Sequence, residues 1–88
     1  NVIINTKALV EHGNRIGNNV NISTGTILNG DVKIRDNCFI GSSAVVNGQI
    51  TIGENSIVGS GTVVINNIDK DVIVAGIPGK VIRRLNNE

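Results

Sequence analysis

Aliphatic side chains recur along this chain at a spacing of six: Ile4, Val10, Ile16, Ile22, Leu28, Ile34, Ile40, Val46, Ile52, Val58 and Val64, with no miss and no insertion. A helix repeats its faces every 3.6 residues and a strand every two, so neither produces this period. A unit of one short strand plus one corner does, and three such units close a triangular coil of a parallel β-helix. Residues eighteen apart should then stack, and the sequence carries that longer period too. Residues 15–32 align without gaps on 33–50 and on 51–68. Asn19, Asn37 and Asn55 fall in one column, and the Asn-Gly pairs at 29–30 and 47–48 in another. Both residue types tolerate the left-handed backbone that a sharp corner requires, so both columns are predicted corners. The Asn column is also expected to hydrogen-bond along the stack, with coils ~4.8 Å apart. The fourth position after each aliphatic residue is mostly small or β-branched (Ala8, Thr26, Val32, Cys38, Ala44, Ser56, Thr62), which suits a tight interior corner.

The period breaks at Ile65–Asn66. This divides the chain into an all-β solenoid over 1–65, about three and a half to four coils, and a C-terminal part over 66–88. The latter reads as a polar loop, one more strand from Val72, a Gly-Ile-Pro-Gly turn at 76–79 and a short tail. Its expected role is to cover the open backbone edge of the last coil. The chain starts at Asn1 in mid-repeat, which reads as a piece of a longer protein.

Composition changes this picture little. Eighty-eight residues allow one small domain, and a solenoid suits that length because each coil packs only on its neighbours. Phe39 is the sole aromatic residue, as a narrow aliphatic column requires. Eight Lys and Arg against seven Asp and Glu leave a formal charge of +1, without the broad field that nucleic acid or an anionic membrane demands. No apolar run approaches a membrane span and no signal peptide is visible. The single cysteine, Cys38, precludes an internal disulfide and fits a reducing, cytoplasmic setting.

The hexad [Ile/Val/Leu]-Gly-x-x-[small]-x, explicit at Ile16-Gly17, Ile40-Gly41, Ile52-Gly53 and Val58-Gly59, resembles that of the left-handed β-helix acyltransferases. The run Val74-Ala75-Gly76-Ile77-Pro78-Gly79-Lys80-Val81-Ile82 is similar to the V-x-G-x-P-A-K-x-I segment that closes such domains. With the segment around Glu11-His12, the chain looks most like the sugar acetyltransferases of bacterial surface-glycan synthesis, which include sialic acid O-acetyltransferases and UDP-amino-sugar N-acetyltransferases. The resemblance implies a homotrimer with acetyl-CoA in the clefts between β-helices, its thioester near a histidine and its adenine near the C-terminal loop. The acceptor would be an amino or hydroxyl group of a sugar or nucleotide sugar.

His12, the chain's one histidine, matches the family's catalytic position. The eighteen-residue stack places Gly30 and Gly48 beneath it, bare backbone that a thin, extended ligand can approach. A neutral imidazole suits removal of the acceptor's proton as it attacks the thioester. The family carboxylate that follows this histidine is Gly13 here, which leaves Asp31, one coil below, or Glu11 to orient the ring. A second family histidine is replaced by Asn21. By resemblance, coenzyme contacts are expected at Asn21, Gly30, Ser42, Ser60, Ile77, Pro78 and Lys80. The same fold serves zinc-dependent carbonic anhydrases, but one histidine and one cysteine do not supply their ligand set, so no metal is expected. The alternative to an enzyme is a non-catalytic β-helix that trimerises an attached domain, or an inactive homologue, since no carboxylate directly follows His12.

Overall fold

The computed structural model describes residues 2–4 and 9–85. In chain order the strands are β1 (Val2–Ile4), β2 (Leu9–Val10), β3 (Arg15–Ile16), β4 (Val20–Ile22), β5 (Ile27–Leu28), β6 (Lys33–Ile34), β7 (Phe39–Ile40), β8 (Val45–Val46), β9 (Thr51–Ile52), β10 (Ile57–Val58), β11 (Val63–Val64), β12 (Val72–Ala75) and β13 (Lys80–Arg84). They form three sheets, ordered β1-β4-β7-β10-β12-β13, β2-β5-β8-β11 and β3-β6-β9. We call these faces A, B and C of a triangular prism. All pairings are parallel except β12 with β13. The fold is the parallel β-solenoid of about four coils, all-β, of the left-handed hexapeptide-repeat type.

The register is the eighteen-residue period made physical. Ile22 pairs with Ile40, Leu28 with Val46 and Ile34 with Ile52. Each aliphatic residue therefore stacks on another of its own shape, and Ile22, Leu28, Ile40, Val46, Ile52, Val58 and Val64 are fully buried. Burying each such side chain is worth about 1.5–3 kcal/mol, so the column supplies most of the driving force. Thr26, Val32, Cys38, Ala44, Ser56 and Thr62 line the interior corners, as expected. Ala8 lies outside the described residues. Ile4 departs from the pattern: with no coil above it in these residues, it is 48% exposed.

Corners follow one rule that the sequence half concealed. The third residue after each aliphatic knob from Val10 to Val58 is left-handed: Gly13, Asp31 and Gln49 at one corner, Asn19, Asn37 and Asn55 at the next, Gly25, Ser43 and Gly61 at the third. The Asn column forms left-handed corners as expected and hydrogen-bonds along part of the stack, Asn19 Nδ2 donating to Asn37 Oδ1 at 3.2 Å and Asn55 Nδ2 to Asp71 Oδ1 at 3.0 Å. The Asn-Gly pairs do not. There the left-handed residue is Asp31 or Gln49, one place later, and Gly30 and Gly48 serve close stacking instead. A Cβ on Gly48 would sit 3.1 Å from the Gly30 carbonyl oxygen.

The last coil is short. Ile57 pairs with Ile73 and Ile52 bridges to Ile68, a step of sixteen instead of eighteen. Asn67 covers the gap by accepting the Thr51 N–H on its side chain at 2.8 Å. The tail is more ordered than a sequence reading suggests, because Lys80–Arg84 turns back as an antiparallel strand. The intervening turn closes face B, with Val63 N–H donating to Gly76 O at 3.1 Å and Gly79 N–H to Val63 O at 2.7 Å.

Candidate active site

His12 stands on the corner between faces B and C, two residues after β2. The corner is built by its backbone. Glu11 N–H donates to Leu28 O at 2.9 Å, Asp31 N–H to His12 O at 3.3 Å and Gln49 N–H to Gly30 O at 3.0 Å. His12, Gly30 and Gly48 therefore do form one column, and the imidazole is exposed above two residues that lack side chains. The main-chain N–H groups of Gly30 and Gly48 donate to no other described residue.

Asp31 is below Gly13, where the period placed it, but it does not hold the ring. Its Oδ1 lies against the Gly13 Cα, in the space a Cβ there would need. Among the described residues no side chain hydrogen-bonds to the His12 imidazole, and no carboxylate forms an ion pair with it. The physical reason is the corner: Asp31 is left-handed, at φ 62°, and its side chain rises along the outer edge toward Gly13. Glu11 is exposed and likewise makes no contact with the ring.

The expected coenzyme residues fall into separate places within one chain. Gly30 is under His12. Ser42 and Ser60 lie on the corner between faces A and B, at the opposite edge of face B. Ile77 and Pro78, joined by a cis peptide bond, project from the turn at the far end of face B, and Ile77 is 77% exposed. Lys80 begins β13 beside them. Asn21 points outward from face A between Ile3 and Phe39, and its Oδ1 is buried without a hydrogen-bond partner. Of the basic tail, Arg84 lies 3.7 Å from Asp69.

The outward columns differ in character. Face A presents Ile3, Asn21, Phe39, Ile57 and Ile73, and face B presents Ile27, Val45 and Val63. Face C presents Arg15, Lys33 and Thr51. An open groove of about 750 Å³ runs along the edge of face C, beginning at Gly13, the residue after His12. Sequence reading passed over Arg15 and Lys33, although their eighteen-residue spacing was the signal that would have found them. Among the described residues, no three His, Cys, Asp or Glu side chains converge as a metal site, and no helix is long and apolar enough to cross a membrane.

Residues 31–66 match the family model of the bacterial transferase hexapeptide, six repeats. No curated protein sequence matches the chain significantly. Among solved structures, a galactoside acetyltransferase in complex with coenzyme A is 27% identical over 98% of this chain and 60% of its own, with a TM-score of 0.76. A serine acetyltransferase in complex with cysteine is 27% identical over 94% of this chain and 36% of its own, with a TM-score of 0.88. The serine acetyltransferase of Brucella abortus strain S19, in complex with coenzyme A, is 26% identical over 97% of this chain and 40% of its own, with a TM-score of 0.80. The chain thus spans less than two thirds of the length of each of these structures. Residues 31–66 thus carry the repeat that this family model describes, and the solved structures named here are acetyltransferases.

Proposed function

We propose that this chain is an acetyl-CoA-dependent acetyltransferase domain that works as a homotrimer, with His12 as the general base. The observation that carries the reading is the position of His12, heading a glycine column in a solenoid that superimposes almost entirely on coenzyme A-bound acetyltransferases. The outer faces support the trimer. Two adjacent faces are apolar and different from each other, which suits a ring in which face B of one chain meets face A of the next. In such a ring the His12 edge of one chain lies toward Asn21 of its neighbour, whose side-chain oxygen has no partner among the described residues of its own chain. It also buries Phe39, now 44% exposed.

Coenzyme dimensions agree. The strands β2 and β11 are three spacings apart, ~14 Å, and the Gly76–Gly79 turn lies beyond β11. A pantetheine arm about as long as four extended residues spans roughly 13 Å. A thioester at His12 therefore leaves the phosphates and adenine near Ile77, Pro78 and Lys80.

The acceptor, an amino or hydroxyl group of a sugar or nucleotide sugar, gives its proton to the His12 imidazole as it attacks the thioester carbonyl. The carbon–sulfur bond then breaks and the coenzyme leaves as a thiol. In this reading a main-chain N–H of the glycine column, that of Gly30, which has no backbone acceptor among the described residues, holds the tetrahedral oxyanion. Purified chain should release coenzyme A thiol in the presence of acetyl-CoA and an amino-sugar or nucleotide-sugar acceptor. His12→Ala should lose about 100- to 10,000-fold in rate while keeping its mass in solution. An unchanged rate in that variant sinks the mechanism. A second reading, a trimerising module without catalysis, is favoured by the lack of a carboxylate on His12; it expects no acetyl-CoA-dependent turnover even before mutation.

A further inference from the structure

The groove on face C has no part in the coenzyme path, yet it is built for a charged ligand. Arg15 and Lys33 are paired in register on β3 and β6, so two cations stand one strand spacing apart on the same face. Like charges directly opposite destabilise a sheet, and a counter-ion between them removes that cost. None is supplied internally: among the described residues the one ion pair is that of Arg84 with Asp69. Arg35, two residues beyond Lys33, adds a third cation to the adjoining recess. Two carboxylates stand nearby: Asp31 lines the groove at its Gly13 end, and Asp36 lines the adjoining recess. Asp31 Oδ1 lies against Gly13, and Asp36 Oδ1 accepts the Asn18 N–H at 2.8 Å. Gln49 and Thr51 complete the lining with an amide and a hydroxyl. The lining thus holds a guanidinium and an ammonium against the single Asp31 carboxylate, with the neutral groups of Asn14, Gln49 and Thr51, and the cations in excess are a set for an oxyanion.

We propose that this groove binds an anionic group of the acyl acceptor, a phosphoryl or carboxylate oxyanion, and so holds the acceptor beside His12. The acceptor's role rests on the acetyltransferase reading above. The coenzyme's own phosphates do not fit here. Arg15 and Lys33 belong to the first two layers of the stack, level with His12 and Gly30, whereas a pantetheine arm starting at His12 carries its phosphates nearly three layers away. The groove begins at Gly13, so an acceptor anchored there has its neighbouring hydroxyl or amine within reach of the imidazole.

The test is an NMR titration of the isotopically labelled chain with inorganic pyrophosphate and, separately, with glucuronate, each with and without saturating coenzyme A. At least one anion should shift the amide resonances of Gly13 to Arg15 and Asp31 to Lys33, and coenzyme A should not displace it. Preference for pyrophosphate indicates a nucleotide diphosphate acceptor, and preference for glucuronate an acidic sugar. Arg15→Gln and Lys33→Gln should each weaken binding about tenfold, and added salt should weaken it further. Both positions are exposed, so the variants should fold, and Arg83→Gln on β13 serves as a charge control without effect. Displacement by coenzyme A, shifts confined to the Gly76–Lys80 turn, or no shift at all overturns the proposal. Acetyl transfer without anion-induced shifts overturns this proposal alone. Shifts without transfer to any acceptor overturn the catalytic reading and the acceptor's role with it.

Discussion

Thr26 and Thr62 occupy the same interior column two coils apart, both fully buried, yet replacing each with valine should move stability in opposite directions. Thr26 Oγ1 donates to Gly41 O at 2.9 Å, a carbonyl of the next coil. For Thr62 the corresponding coil is replaced by the 76–79 turn, and its Oγ1 is buried with no partner. Valine keeps the shape and deletes the hydroxyl. At position 26 the loss is one buried hydrogen bond, about 1 kcal/mol, somewhat softened because Gly41 O still accepts the Ala44 N–H. At position 62 an unpaired hydroxyl is removed, which should stabilise by about 1–3 kcal/mol. The two variants should therefore differ by about 3 kcal/mol. With a urea m-value of about 1.5 kcal/mol/M, their midpoints fall about 2 M apart on either side of the parent. Urea unfolding followed by circular dichroism at one fixed protein concentration reads this directly. If Thr62→Val destabilises as much as Thr26→Val, the turn does satisfy that hydroxyl and the account of the cap is wrong.

Gly41→Asn should cost about 1–3 kcal/mol or more, because a Cβ there would lie 2.6 Å from the backbone nitrogen of Ser60, which has no freedom to withdraw. Gly61→Asn, at a left-handed corner with nothing within 4 Å of its Cβ, should be nearly neutral, since Asn adopts that conformation at 19, 37 and 55. Thermal unfolding of the pair separates the two causes. Cys38 makes a pH prediction: burial pushes its thiol above the ordinary value of 9.0, so the neutral form is favoured on folding. The stability this contributes is complete below the unfolded thiol's pKa and falls as pH rises through and beyond 9. Cys38→Ala should flatten that decline between about pH 8 and 10 in urea titrations, and an unaltered slope would refute the assignment.

The period of six, then eighteen, made the fold legible because each stack position accepts one class of side chain: Ile22 above Ile40 above Val58 leaves little else possible. It made the His12 column legible for the same reason. What stayed hidden was set by neighbours in space. Asn29-Gly30 has strong local turn propensity, but the stack assigns the left-handed residue to Asp31, one position later. The same conformation aims the Asp31 carboxylate at Gly13, which no spacing argument could foresee. The antiparallel strand Lys80–Arg84 was illegible because its five residues are all exposed and carry no burial pattern. The groove on face C stayed hidden because the eighteen-residue alignment was followed for core and corner positions, although Arg15 and Lys33 keep the same spacing.

The sixteen-residue step of the final coil has an evolutionary consequence. Anywhere upstream of Val64, eighteen residues can be duplicated or deleted and every corner still meets a corner, so the shaft can change length in whole-coil quanta. The shortened coil is a different unit: it keeps Ile68 over Ile52 and Val74 over Val58 but has four residues from Val64 to Ile68 where the shaft has six, so copying it would shorten one side of the triangle in every added coil. Growth of such a chain is thus confined to the shaft, while the cap persists as a single, unrepeatable terminus. The distance between the His12 corner and the Ile77–Pro78 turn then becomes a quantity that gene duplication can tune only in steps of one coil.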